Sequence, residues 1–233
     1  MQNHILHQHV HTAAELKAQG ISEFSIRARL RNGTLEKLER GVYVDAEFCQ
    51  NLGERERRFI EHLAVLKSTA NPYLTHHSAA FWLGAPMLSL PHKVHLASPN
   101  KHRYSRAGVQ IHANRAAECT QAIIHQGFAV LNPLQVAVDC ALTLPRSDAL
   151  CIVNDFLHRQ LVSYEELQSE LAVQRFYGAA RARKIATRMS FALRVCCGKY
   201  CLGFITRMES EIACSAEGTI CGLSKVSPRF CVG

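Results

Sequence analysis

Residues 12–44 read TAAELKAQGISEFSIRARLRNGTLEKLERGVYV, and the punctuation of this stretch decides the fold of the N-terminal part. Thr12 and Glu15 stand three apart, the spacing of a capping box, in which hydroxyl and carboxylate satisfy orphan backbone donors of a starting helix. Gly20 ends that helix. Ser22 caps a second one, which runs to Leu30 or Arg31 and stops at Asn32-Gly33, a pair that tolerates the left-handed conformation of a helix end. Leu35 to Val44 then reads as two short strands around Glu39-Arg40-Gly41. Helix, turn, helix and hairpin is the layout of a winged helix-turn-helix, a DNA-binding form.

Angular position divides the second helix into faces. At about 100° per residue, Ile26 and Leu30 fall on one stripe and face the core. Phe24, Ser25, Ala28 and Arg31 point away, and Arg27 and Arg29 flank the stripe on opposite sides. Exposed Arg, Ser and a small Ala suit close approach to a groove. No acidic residue lies between Phe24 and Leu35, so the three arginines are expected to act unopposed. Lys37 and Arg40 on the hairpin are placed to reach phosphates. The expected DNA contacts are therefore Ser22, Ser25, Arg27, Ala28, Arg29, Arg31, Lys37, Arg40 and Tyr43. The competing reading is a surface helix whose arginines are merely solvated.

The same stretch resembles the N-terminal domain of AbiEi-type antitoxins, the antitoxin half of type IV bacterial toxin–antitoxin pairs. The resemblance is carried by Gly20, Ser22, Ile26, Arg27, Arg29, Gly33, Leu35, Arg40, Gly41, Val42 and Tyr43, of which the Gly-Val-Tyr ending is the more specific part. It implies a regulator that binds an operator, represses its own operon and counters a nucleotidyltransferase toxin without a stable complex. Self-association is expected with it.

Length and composition fit such a protein. The chain has 233 residues and is 48% hydrophobic, enough for a small N-terminal domain and one larger core. The expected organisation is α+β: a winged helix-turn-helix over 1–50, a mixed α/β domain over 51–195, and a cysteine-rich tail over 196–233, truncated or poorly ordered. The first twelve residues are His-rich and polar, unlike a signal peptide. Residues 119–138 carry no charge but contain Gln, His, Asn, Pro and Gly, so no membrane span is expected. Ten cysteines without a secretory signal argue for a cytoplasmic location and free thiols.

Net charge is +8, and its location says more than its size. Residues 1–48 hold six basic and six acidic side chains. Residues 99–115 and 171–208 are basic with no acid, fields that favour a polyanion and make binding sensitive to salt. An acidic protein partner would suit the second run equally.

The middle begins with a helix from Glu54 that buries Phe59, Leu63 and Leu66 and leaves Arg55, Arg57 and Arg58 outside. Tyr73 to Gly84 reads as a strand end, a cap and a short helix, and also resembles the antitoxin family. His76, His77 and Ser78 invite a catalytic reading. No Gly-x-Ser-x-Gly elbow and no third acidic member accompany them, so capping and packing are expected and no catalytic residue is assigned. Val94–Leu96 and Val109–His112 alternate as strands around the basic loop Asn100–Ala107. Asn132-Pro133 opens a helix carrying Asp139, expected to be a structural anion, and Ser163-x-x-Glu166 is a second capping box.

Metal ligation has weak support in the pattern. His4, His7, His9 and His11 lack a Cys or carboxylate partner at zinc-like spacing and read as a frayed terminus. Six cysteines follow residue 195, with no Cys-x-x-Cys pair. No metal or other cofactor is therefore expected. Arg207-Met208-Glu209-Ser210-Glu211 resembles the opening of a Vsr-like endonuclease domain. The alternative function is thus a remnant of a DNA-targeted nuclease. Such nucleases hold magnesium on an Asp and a Glu-x-Lys, and the chain after Glu211 offers no Asp, one Glu and one Lys. A non-enzymatic reading is preferred. A third reading is a structural protein whose basic helix binds an acidic partner.

Overall fold

The computed structural model describes residues 3–101 and 104–173, together with Ala180 and Arg183. The cysteine-rich tail and nearly all of the 171–208 basic run lie outside these residues. The chain divides into two compact units, 1–191 and 192–233, and the described residues all belong to the first.

The architecture is α+β. In chain order the elements are α1 (Asn3–His9), β1 (Val10–Thr12), α2 (Ala13–Ala18), α3 (Glu23–Arg31), β2 (Leu35–Glu39), β3 (Val42–Asp45), α4 (Ala46–Gln50), α5 (Glu54–Ser68), β4 (Tyr73–Leu74) and α6 (His76–Trp82). They continue with β5 (Val94–Ala97), β6 (Val109–His112), α7 (Ala116–Thr120), β7 (Ile123–His125), β8 (Phe128–Val130), α8 (Pro133–Thr143), α9 (Arg146–His158) and α10 (Tyr164–Val173).

Local chemistry explains the N-terminal elements. The Thr12 hydroxyl accepts from the Glu15 amide at 3.1 Å and the Glu15 carboxylate accepts from the Thr12 amide at 2.7 Å, which starts α2. The Ser22 hydroxyl accepts from the Ser25 amide at 3.2 Å and starts α3. Gly33 ends α3 at φ +71° and Gly41 closes the hairpin at φ +75°, a region that a side chain would strain. The N-terminus departs from the frayed end expected for it. Residues 3–9 are helical, and Val10–Thr12 pairs antiparallel with β3, giving the sheet order β1-β3-β2. The pairing is non-local, so nothing adjacent to Val10 announces it.

The second sheet has the order β6-β5-β4-β8-β7. It is mixed: β5 runs parallel to β6 and β4 parallel to β8, while β4–β5 and β7–β8 are antiparallel. The two sheets share one buried cluster. Val10, Val42 and Val44 of the first belong to it together with Phe59, Trp82, Leu96 and Phe156. Phe59 and Trp82 stack with centroids 4.3 Å apart, and the Trp82 indole donates to the His125 carbonyl at 3.2 Å. The His7 ring joins them, 5.8 Å from Trp82, so this histidine packs rather than frays. His9 stacks on Phe48 at 3.7 Å. Leu16, Ile26 and Leu35 are buried but stand outside that cluster, under α2 and α3. Ile26 thus faces inward as its helical phase requires, whereas Leu30 is only half-buried.

Candidate functional site

Two places concentrate chemistry: the surface built by α3 and the hairpin, and a histidine cluster at the end of the second sheet.

On α3, Arg29 and Arg31 are exposed. Ser25 and Ala28 are half-buried rather than fully outward, and Ser22 is occupied as the helix cap. Arg27 corrects the expectation of three unopposed arginines: its guanidinium meets Glu23 at 3.4 Å, one turn back and just outside the acid-free window. Phe24 beside it is 76% exposed, an apolar ring left in water at the start of the helix.

On the hairpin, register places the side chains. Lys37 lies opposite Tyr43, and Tyr43 opposite His11, so these three form one row on one face. Leu35 shares that face by the two-residue alternation and is buried beneath α3, so Lys37 and Tyr43 look out on the side of α3. The opposite face carries Val42, Val44, Glu36 and, after the irregularity between Lys37 and Glu39, Glu39. Those two acids are engaged by the following region: Glu36 meets Arg57 at 2.8 Å and Glu39 meets Arg106 at 2.8 Å. Glu15 likewise meets Lys67 at 3.0 Å. Among the described residues, no salt bridge reaches Arg29, Arg31, Lys37 or Arg40. Three of the six acids in this neutral stretch are thus paired by cations that follow it, which leaves Arg29, Arg31, Lys37 and Arg40 as a cationic surface, while Glu23 stays exposed beside Arg27 at the start of α3.

The second place is centred on the end of β4. Thr75 and Asp139 are buried, and the Thr75 hydroxyl donates to Asp139 Oδ2 at 2.9 Å. This hydroxyl does not cap α6, as capping was expected to explain the segment. Asp139 is the structural anion anticipated: Arg115 Nη1 meets the same oxygen at 2.8 Å, and Gln135 donates to Oδ1 at 3.1 Å. His76 follows Thr75 at φ +52°, in the left-handed region that a non-glycine residue seldom adopts. Its Nδ1 sits 3.1 Å from Thr75 Oγ1. Because that hydroxyl gives its proton to Asp139, it accepts from His76 Nδ1–H, which leaves a lone pair on Nε2.

His95 on β5 and His112 on β6 complete the group. The register pairs His95 with Gln110 and Ala97 with His112, making the two histidines diagonal neighbours on one face. His95 Nδ1 and His112 Nε2 are 3.0 Å apart, and the His76 and His112 rings stack at 3.8 Å. One nitrogen from each of the three can be chosen so that all lie within 4.8 Å of one another. Burial holds these imidazoles neutral, pushing His76 down to about 2 and His95 to about 3, and lowering His112. Sequence reading missed the trio because the 19- and 17-residue gaps match no ligand motif; only the pairing of β5 with β6 unites it.

Ser78 has a histidine partner that the sequence also concealed. Its Oγ lies 3.1 Å from His62 Nε2, and His62 Nδ1 faces the Arg58 carbonyl at 2.9 Å. Ser78 and His62 are 0% and 1% exposed, and the third member is a carbonyl rather than a carboxylate. The pair lacks the access and the anion that a nucleophilic serine requires. His77 and His95 line a cleft of about 290 Å³ with Leu90, His92 and Asp148, and His77 Nδ1 is buried without a hydrogen-bond partner.

Among the described residues, Cys49, Cys119, Cys140 and Cys151 are free and buried, and no helix is long and apolar enough to cross a membrane. No family model and no curated protein matches the chain. Among solved structures it is similar to a crystal structure of the RV2827C protein from Mycobacterium tuberculosis. That likeness has 17% identity and a TM-score of 0.49, covering 82% of this chain and 78% of the other.

Proposed function

We propose that residues 12–45 act as a winged helix-turn-helix that binds double-stranded DNA, with α3 in the major groove and the β2–β3 hairpin against the backbone. The observation that supports this is the sided charge. Glu15, Glu36 and Glu39 pair with Lys67, Arg57 and Arg106, while Arg29, Arg31, Lys37 and Arg40 face solvent without an ion pair among the described residues. Outward cations on a helix and an adjoining hairpin match the geometry of a duplex, whose phosphates flank the groove that the helix enters. The resemblance of Gly20 through Tyr43 to AbiEi-type antitoxins extends this to an antitoxin-like regulator. It would bind an operator, repress a type IV toxin–antitoxin operon and counter a nucleotidyltransferase without stable association. In this reading the chain is a non-enzymatic regulator. The nuclease alternative rests on residues 207–211, outside the described part.

Arg31 and Lys37 separate the two kinds of contact. Arg31→Ala is expected to lower affinity for the operator by about 1–3 kcal/mol and to leave random DNA little affected. Lys37→Ala should weaken both duplexes alike and reduce the salt slope by about one. Titrations of the two variants on specific and random duplexes check this. Equal loss on both duplexes from Arg31→Ala would remove the base-contact role.

A further inference from the structure

We propose that His76, His95 and His112 form a binding site for one divalent transition-metal ion of the zinc class, independent of the DNA-binding reading. Three observations converge. One nitrogen from each ring lies within 4.8 Å of the others. Tetrahedral zinc with bonds of about 2.1 Å sets its nitrogens about 3.4 Å apart, so the trio closes on an ion when each nitrogen moves about 1 Å or less and the stacked His76 and His112 rings tilt so that their in-plane lone pairs converge. Second, the support expected behind a metal-bound imidazole is already built. His76 Nδ1 is held by Thr75 Oγ1 at 3.1 Å, and that hydroxyl is anchored on Asp139 at 2.9 Å. This holds Nδ1 protonated and leaves the lone pair on Nε2, the kind of support by which a carboxylate orients a ligating histidine. Third, His76 adopts φ +52° at the first position of a helix, backbone strain of the kind kept where a side chain must be aimed.

The donor set selects the ion. Three neutral imidazoles favour Zn²⁺, Co²⁺, Ni²⁺ or Cu²⁺ over Mg²⁺ or Ca²⁺, which take oxygen. Asp139 already serves Arg115, Thr75 and Gln135, so it supports the site rather than entering it. Three protein ligands leave a fourth position for water or an exogenous group. His95 also lines the 290 Å³ cleft, which offers a path to the trio. A bound ion would clamp edge strand β6 and β5 to the start of α6. The bland alternative is an N–H···N hydrogen bond between His95 and His112, which uses the same 3.0 Å contact but gives no role to the tautomer fixed at His76.

The test uses the full chain, stripped with a chelator and titrated with ZnCl₂ and separately with CoCl₂. Wild type is expected to bind an equivalent that His112→Ala and His95→Ala each weaken at least 100-fold, with both variants folded by circular dichroism. The Co²⁺ complex of that equivalent should show visible ligand-field bands without a thiolate charge-transfer band, which separates it from cysteine ligation. A His9→Gln/His11→Gln variant should bind as wild type does, and Zn²⁺ but not Mg²⁺ should raise the melting temperature. Should His112→Ala and His95→Ala retain the wild-type equivalents at unchanged affinity, or should the terminal variant lose them, the proposal is overturned. Absence of any Zn²⁺ binding by the wild-type chain overturns it as well.

Discussion

Asp139→Ala is expected to destabilise the protein by about 3–5 kcal/mol, the range for removing one partner of a buried ion pair. The carboxylate is buried, as is most of the Arg115 side chain that it meets at 2.8 Å. Among the described residues its removal leaves the guanidinium with Glu118 alone, 3.2 Å from Nε, and deprives the Thr75 hydroxyl and the Gln135 amide of their acceptor. The cost is chiefly that of stranded polar groups, not of lost attraction. Arg115→Met in the same chain should therefore recover part of the loss, a coupling that a double-mutant cycle measures in chemical denaturation. A single Asp139→Ala variant within about 1 kcal/mol of wild type would contradict the ion-pair account.

Acid is expected to weaken the fold before the ordinary carboxylate range is reached. Burial pushes His62 down to about 4 from 6.5, against the favourable Arg58 carbonyl and with Arg58 and His77 adding positive charge nearby. Ser78 at 3.1 Å and the Phe81 ring at 5.2 Å complete its surroundings. The unfolded chain binds a proton near pH 6.5 that the folded chain refuses until about pH 4. The contribution is thus fully present above 6.5 and is lost as pH falls through this window, amounting to about 3 kcal/mol. Denaturation at a series of pH values, with chelator present, should show stability falling steadily over that interval. His62→Gln should be less stable at neutral pH, with a slope reduced by about one proton. Equal stability of wild type at the two ends of the window would contradict a buried neutral His62.

What was legible in the sequence was local. The capping boxes at Thr12 and Ser163, the stop at Gly33, the turn at Gly41 and the Asn132-Pro133 start of α8 are each written within a few residues, and each is found. Asp139 was readable as a structural anion because a charge on an otherwise apolar helix needs a partner, although the sequence did not name Arg115. Pairing across distance was not legible. Val10–Thr12 becomes a strand only because β3 offers an edge, and the N-terminal helix before it packs Leu6 into the core and His7 against Phe59 and Trp82. The histidines at 76, 95 and 112 meet only after β5 and β6 align. The candidate DNA surface lies between these cases. Helical phase placed Ile26 inward and Arg31 outward, as found, but it put Ser25 and Ala28 outward where they are half-buried, and it stopped one residue short of Glu23, which takes Arg27. The engagement of Glu36 and Glu39 by Arg57 and Arg106 is tertiary, and it gives a neutral stretch its cationic face.

The central claim is that α3 and the hairpin bind DNA, and the most direct measurement is fluorescence anisotropy of the full chain with two labelled duplexes. One carries the DNA upstream of its own reading frame and the other the same bases scrambled, each titrated at about 50 and 200 mM salt, a range over which phosphate contacts weaken steeply. The account predicts saturable binding that favours the upstream duplex by about 10³-fold or more and weakens steeply with salt. Failure to bind either duplex at the lower salt, or equal affinity for both, would contradict it.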